Sequence, residues 1–290
     1  MGHSNHGFDV APETLQGLTP AQIDGDGDVR FQMVREAGNI QFDGHFRKGH
    51  GVGEFEFSPN DPFLKEMNRL GFNSISTRDA FEMAILDVNS RYVHDITSLG
   101  YSGISLDKLI EMKIHNVTPD YIRELQKRGY KMDADKLVEM KIHGVSIEYI
   151  DAFARAGYKE LSADRFVEMR IHSVTPEFVH DLAERGMREV TTDKLVEMKI
   201  HGVSTEYIDG FAKLGYKNLN PDKLVEMRIH GVSPEFVAAL QKLGYKDVSP
   251  EELVEMRIHG VSPEYVRDKM ADGRKPSIDE LIEMRIHGSY

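Results

Sequence analysis

The stretch Leu109-Ile-Glu-Met-Lys-Ile-His115 returns as Leu137-Val-Glu-Met-Lys-Ile-His143 and runs on to Leu281-Ile-Glu-Met-Arg-Ile-His287. Self-similarity at a fixed period marks a repeat architecture, so repeats are counted before domains. From Asn60 onward the period is about 29 residues, and each repeat reads as two short helices. The first helix, B, starts at an N-cap followed three places on by an aromatic. The pairs are Asn60 with Phe63, Asn89 with Tyr92, Thr118 with Tyr121, Ser146 with Tyr149, Thr175 with Phe178, Ser204 with Tyr207, Ser233 with Phe236 and Ser262 with Tyr265. An oxygen at the cap accepts an N–H of the first turn that has no other partner. Pro119, Pro176, Pro234 and Pro263 take the first helical position, where a missing N–H costs nothing. Glycines from Gly71 to Gly273 recur where a left-handed residue closes the helix.

The second helix, A, starts at Ser76, Ser105, Asp133, Ser162, Thr191, Asn220, Ser249 and Ser277. It stops at Gly144, Gly202, Gly231, Gly260 or Gly288, with Asn116 and Ser173 as variants. Within A, Leu109, Ile110, Met112, Ile114 and Val117 form a wide apolar stripe, and in B Tyr121, Ile122 and Leu125 do the same. Two helices of this size cannot bury both stripes by pairing once. Successive hairpins must therefore stack, and residues 59–290 are expected to form an all-α solenoid of about eight two-helix repeats. The recurring methionine of helix A, from Met83 to Met284, reads as core filler.

Ahead of the repeats, residues 1–28 lack apolar periodicity and read as a flexible lead-in containing His3, His6 and the acidic run Asp24-Gly-Asp26-Gly-Asp28. That run has calcium-loop spacing, but Val29 stands where the tight-turn Gly belongs and Arg35 where the bidentate Glu belongs. A solvated turn is expected. Residues 29–58 alternate apolar and polar with breaks near Gly38 and Gly49, which predicts a three-stranded antiparallel β-meander capping the array. Gly49, Gly51 and Gly53 precede a strand rather than a helix, so they read as turn residues and not as a phosphate cradle. The helices beginning at Pro62 would cover the meander's apolar face.

Composition narrows the function. Against 36 Lys plus Arg stand 48 Asp plus Glu, a net charge of -12, which disfavours nucleic acid or an anionic membrane surface as partner. No apolar run approaches the roughly 18 to 20 residues that span a bilayer, so no membrane insertion is expected. With no cysteine, disulfides, thiolate zinc sites and thiol catalysis are excluded.

The first chemical candidate is the Glu and His four apart in helix A: Glu111/His115, Glu139/His143, Glu168/His172, Glu197/His201, Glu226/His230, Glu255/His259 and Glu283/His287. Each pair projects from one helix face. The favoured reading is structural, with the imidazole bonding free carbonyls at the negative helix end and Glu pairing with a Lys or Arg nearby. Metal binding by these pairs is the alternative, although two ligands per repeat leave a zinc site unfinished unless neighbours share. The first repeat places Leu86 at the His position, which suits packing better than an enzyme site. No cofactor and no catalysis are expected. The aromatic ladder reads as core rather than a platform for bases.

The B positions after the aromatic-aliphatic pair change from repeat to repeat: Lys65-Glu66, His94-Asp95, Arg123-Glu124, Asp151-Ala152, His180-Asp181, Asp209-Gly210, Ala238-Ala239 and Arg267-Asp268. Packing does not dictate such residues, and a changing row on a repeating frame is where a protein or peptide partner would be recognised; the alternative is drift at positions nothing constrains, on a purely structural array. No polar capping helix follows Gly288-Ser-Tyr290, so the C-terminal face is expected to be exposed, used for self-association or an artefact of truncation.

The units Leu-Val-Glu-Met-Lys/Arg-Ile-His-Gly-Val-Ser/Thr-Pro-Glu-Tyr/Phe, together with the segment running from Val29-Arg-Phe through Phe42-Asp-Gly-His-Phe-Arg to Phe55-Glu-Phe57, resemble a known repeat region. It is the helical-repeat region attached to bacterial membrane sensor proteins of the beta-lactam-sensor, peptidase-like type. The resemblance covers nearly the whole chain but carries no activity across, because the His-Glu-x-x-His zinc motif is absent. It implies a bacterial sensing or scaffold module, outside the cytoplasm or within it.

Overall fold

A computed structural model describes residues 10–288. His3 and His6 of the expected lead-in, and the final Ser289 and Tyr290, lie outside the described residues. The rest of the lead-in carries regular structure. A 3-10 turn at Pro12–Thr14 leads into β1 (Leu15–Gln16) and helix α1 (Pro20–Asp24). Helix α1 is opened by a capping box in which the Thr19 N–H donates to Gln22 Oε1 at 2.9 Å and the Gln22 N–H donates to Thr19 Oγ1 at 3.3 Å.

The sheet has four strands in the order β1-β2-β3-β4, all antiparallel, where three were expected from sequence. Strands β2 (Asp26–Arg35), β3 (Gly38–Arg47) and β4 (His50–Pro59) are the expected meander, and the two-residue β1 adds to the β2 edge. Registers Phe31↔Phe42↔Phe55 and Met33↔Ile40↔Phe57 line up one apolar face. Gly44 lies opposite Gly53, and a Cβ on either would meet the neighbouring strand's backbone, at 2.4 Å from Val52 O or 2.3 Å from Asp43 O. The acidic run is no solvated turn. Asp26 and Asp28 belong to β2, and the His45 ring lies between them, 2.9 Å from Asp26 and 2.8 Å from Asp28. These two carboxylates raise the imidazole above its ordinary value, Asp28 most.

The helices that follow are α2 (Asp61–Arg69), α3 (Thr77–Ile85), α4 (Ser90–Ser98), α5 (Leu106–Ile114), α6 (Pro119–Lys127), α7 (Ala134–Ile142), α8 (Ile147–Arg155) and α9 (Ala163–Ile171). Then come α10 (Pro176–Glu184), α11 (Thr192–Ile200), α12 (Thr205–Lys213), α13 (Pro221–Ile229), α14 (Pro234–Lys242), α15 (Pro250–Ile258), α16 (Pro263–Lys269) and α17 (Ile278–His287). Even numbers are B helices and odd numbers from α3 are A helices. Caps fall where the sequence places them: Ser105 accepts from the Lys108 N–H and Thr118 from the Tyr121 N–H, each at 3.1 Å. Asn60 is the exception, since its side chain makes no cap bond and instead donates to the Glu36 carbonyl at 2.9 Å. It fastens the sheet to α2 rather than opening the helix.

The chain divides into two compact units, residues 1–142 and 143–290. In the first, α3 lies on β3 and β4, and Phe81 stacks on Phe55 with ring centroids 5.0 Å apart while meeting Phe57 edge-on at 5.3 Å. The Glu36 carboxylate accepts the Ser90 N–H at 2.8 Å, joining the sheet to α4. Helices α2, α4 and α6 pack in one row, and α5 packs on α7. In the second unit α9, α11, α13, α15 and α17 form a row of A helices, and α8, α10, α12, α14 and α16 a row of B helices. Each row uses like-on-like stacking between successive hairpins, which is how short helices with one apolar stripe each obtain a shared core. Leu195, Met198, Phe211, Leu224 and Met227 are fully buried between the two rows of this unit. Among the described residues no helix is long and apolar enough to cross a membrane.

Candidate functional site

Helix A presents a ladder of charges on its outer side. In α5 the Lys108 amine binds both Glu111 of its own helix and Asp135 of α7. Arg165 likewise lies 2.6 Å from Glu168 and 2.6 Å from Asp193, Lys194 pairs with Glu197 and lies 2.5 Å from Asp222, and Lys223 lies 2.6 Å from Glu226 and 2.8 Å from Glu251. Lys136 holds Glu139 in the same way. Hydrogen bonds to Asp222 and then Glu197 hold the Lys194 amine above its ordinary value, and the bond from Lys223 holds Glu251 below the usual carboxylate range. Glu252 and Glu280 stand at the clamp position in α15 and α17, where they complete capping boxes with Ser249 and Ser277 instead. Glu255 and Glu283 are exposed there.

His115, His172, His201, His230 and His259 occupy the C-cap. The carbonyl-bonding role expected of these imidazoles is filled by backbone. Val117 N–H donates to Met112 O, and Val174, Val203, Val232 and Val261 repeat that bond to Met169, Met198, Met227 and Met256, each at 2.8 Å. The residue between is left-handed, whether Gly202 (φ 70°), Asn116 (φ 55°) or Ser173 (φ 56°). His143 and His287 stand at the same place in the phrase, beside Ile142 and Ile286. Among the described residues, no three His, Asp or Glu side chains gather as a metal site.

The aromatic at the third position of each B helix is buried in Tyr92, Tyr121, Tyr149, Phe178, Tyr207 and Phe236. A cation of the same hairpin's A helix covers each ring: Lys113 lies 4.8 Å from the Tyr92 centroid, Arg170 4.9 Å from Tyr149 and Arg228 4.8 Å from Tyr207. Burial holds the Lys113 amine below its ordinary value. The hydroxyls of Tyr92 and Tyr149 donate to the carbonyls of Val117 and Val174 at 3.0 and 2.7 Å. A ring so covered offers no free face for a base.

The variable B positions divide into two kinds. Lys65, His94, His180, Arg267 and Asp268 are exposed. Asp95 and Asp209 turn toward neighbouring helices, so packing constrains them more than their sequence variation suggests. Asp95 meets Arg123 at 3.3 Å, and Asp209 receives both Nε and Nη2 of Arg185, at 2.7 and 2.8 Å. Three pair along their own helix instead: Asp181 lies 3.9 Å from Arg185, Glu124 holds Lys127 and Arg128 at 2.6 and 2.7 Å, and Glu66 holds Arg69 at 3.3 Å. Asp151 is half-buried. At Gly210 a Cβ would come 2.6 Å from Pro234, which explains the smallest residue of the row.

One feature of the phrase departs from its sequence reading. Ile114, placed by spacing in the buried stripe, is 57% exposed, and Ile142, Ile171, Ile200, Ile229, Ile258 and Ile286 lie between 51% and 55%. The apolar arc of helix A is narrower than five apolar residues per helix suggests. Leu109, Ile110 and Met112 fill the available core, and Ile114 falls on the far edge of that arc, toward Asp107 and Glu111. The signal was present in the order of residues, because Ile114 lies one helical turn from Glu111.

No protein-family model and no curated protein matches this chain.

Proposed function

We propose that the hairpins of residues 59–290 form one solenoid of about eight repeats, and that this solenoid is a non-catalytic module binding protein or peptide partners along its B-helix surface. The observation that carries the reading is the separation of frame and surface on the B helices. Tyr92, Val93 and Ile96 are buried while His94 between them is exposed, and Phe178, Val179 and Leu182 enclose His180 in the same way. The same frame carries a row that reads Lys65, His94, Arg123, Asp151, His180, Asp209, Ala238 and Arg267 along the hairpins, exposed at Lys65, His94, His180 and Arg267. Glutamates of the alternative metal reading are engaged by Lys108, Lys136, Arg165, Lys194 and Lys223, which supports a structural role for the ladder.

A peptide-display selection against the full chain, followed by titration of the selected peptides, tests the proposal. Replacement of Lys65, His94, His180 and Arg267 together by Ala is expected to weaken binding at least tenfold, about 1.4 kcal/mol or more, with the fold unchanged. Undiminished binding to that variant would remove the B surface from the account.

A further inference from the structure

Two creases between successive B helices are closed by a pair of side chains that satisfy carbonyls of the turns. Between α12 and α14 the Gln241 amide donates to the Leu214 carbonyl at 2.9 Å and the Tyr216 hydroxyl to the Val248 carbonyl at 2.6 Å. Between α4 and α6 Gln126 donates to the Leu99 carbonyl at 3.0 Å and Tyr101 to the Met132 carbonyl at 2.8 Å. The crease between α10 and α12 lacks both donors. Ala212 stands there at the Gln position and Met187 at the Tyr position. The corresponding carbonyls are those of Arg185 and Leu219, and neither accepts a hydrogen bond among the described residues.

Arg185, Met187, Ala212 and Leu219 line a cavity of about 170 Å³, with Asp209 and Lys217 beside them. Pockets for drug-sized ligands begin at roughly 300 Å³, so this one is of side-chain size. Carbonyl acceptors call for N–H or O–H donors. A carboxylate would set its oxygens against the two carbonyls and Asp209, and an ammonium or guanidinium would meet Arg185 and Lys217. A phenol brings one donor for two acceptors. A primary amide brings two N–H, matching the carbonyls in number, and an oxygen able to accept from the Lys217 amine. It is also the group the chain itself places in the complete creases, at Gln126 and Gln241.

We propose that the crease between α10 and α12 binds the side-chain carboxamide of a glutamine carried by a partner peptide, which supplies the donors that Ala212 and Met187 do not. Asp209 belongs both to the lining of the cavity and to the changing row of the B helices, so a peptide following that row passes the cavity. The proposal rests on the reading of the B helices as a peptide surface only for the source of the glutamine. The pocket itself follows from the two substitutions and the two carbonyls they leave.

The test is NMR titration of the nitrogen-labelled full chain with N-acetyl-glutamine N-methylamide to about 20 mM, a range that resolves millimolar dissociation constants. The amides of Gly186, Met187 and Leu219 are expected to shift. The methionine and glutamate analogues are expected to bind at least tenfold more weakly, since they cannot donate to the carbonyls. Ala212→Gln is expected to fill the cavity with its own amide and abolish the shifts at unchanged helix content. Met187→Tyr is expected to do the same, and it decides the matter if Ala212→Gln fails to fold. Replacing Lys65, His94, His180 and Arg267 by Ala should leave this titration unchanged, so failure of the pocket and failure of the B surface are told apart. No shift with the glutamine probe overturns the proposal, as does equal binding of the methionine analogue or undiminished binding to a folded variant. Tighter binding of free L-glutamine than of the capped residue would overturn the peptide as its source.

Discussion

The hydroxyl of Tyr207 donates to the carbonyl of Val232 at 2.8 Å, tying the B helix of one hairpin to the close of its A helix, whereas the equivalent hydroxyl of Tyr265 is buried with no partner among the described residues. The same atom thus has a partner in one repeat and none among the described residues in another, and the two are expected to respond differently to its removal. Tyr207→Phe is expected to cost about 1 kcal/mol, since it leaves a carbonyl unpaired. Tyr265→Phe is expected to be neutral or stabilising, because it removes a desolvated group. Urea unfolding followed by circular dichroism measures both. Phe178 and Phe236 stand at the same position in their hairpins, so the ring rather than the hydroxyl is the common requirement.

Burial separates the two apolar classes in the phrase. Phe211 is fully buried and meets Tyr207 and Tyr216 edge-on, with centroids 4.8 and 6.1 Å away. Phe211→Ala is expected to destabilise the chain by about 3 to 5 kcal/mol, through lost burial and the cavity left behind. Ile200→Ser, at a position 55% exposed, is expected to cost less than about 1 kcal/mol. Equal losses in a thermal melt of dilute protein would show that the isoleucine is core after all.

The left-handed residue after helix A offers a gain of stability. Ser173 holds φ at 56°, a conformation that Gly adopts without steric cost. Ser173→Gly is expected to stabilise by up to about 1 kcal/mol, and Gly202→Ala, at φ 70°, to destabilise by a similar amount. Hydrogen exchange of the amides of α9 and α11 reports each change locally. A Ser173→Gly chain with faster exchange in α9 would contradict the assignment of strain.

Acid should weaken the contact between α10 and α12. The Asp209 carboxyl lies below its ordinary value, chiefly through its hydrogen bonds from Arg185. A carboxylate depressed in the folded state stabilises it at pH above the unfolded value near 4, and that contribution is lost as pH falls through the lower folded value. Both side chains are partly exposed, so the effect is below about 1 kcal/mol. Titration of Asp209 by carbon-detected NMR is expected to give a value below 3.8, and Arg185→Met should restore the ordinary one. A normal Asp209 in the wild type would mean that the pair is open in solution.

Periodicity made the helices legible. Caps at Ser105 and Thr118 and the left-handed closes at Gly129 and Gly202 follow from short-range geometry, which one repeat specifies and the next confirms. What sequence could not settle were relations at longer range. Asn60 matches the N-cap pattern of its neighbours, yet the nearby Glu36 carbonyl of the sheet takes its amide. Asp26 and Asp28 sit between glycines and read as a turn until His45, from another strand, lies between them. The capping box of Thr19 and Gln22 was readable but stood apart from any apolar run. Ile114 and the pairing of Asp209 with Arg185 show the same limit on the surface. Whether a residue faces core, neighbour or solvent depends on how tightly adjacent helices approach.

The central claim is that a constant frame carries a variable B surface for partners. Hydrogen exchange of the full chain, with and without a peptide selected for binding, tests it most directly. The account predicts added protection confined to the B helices around His94, His180 and Arg267, and lost when those residues are replaced by Ala. Protection confined to the sheet or to the A helices, with the B helices unchanged, would contradict it.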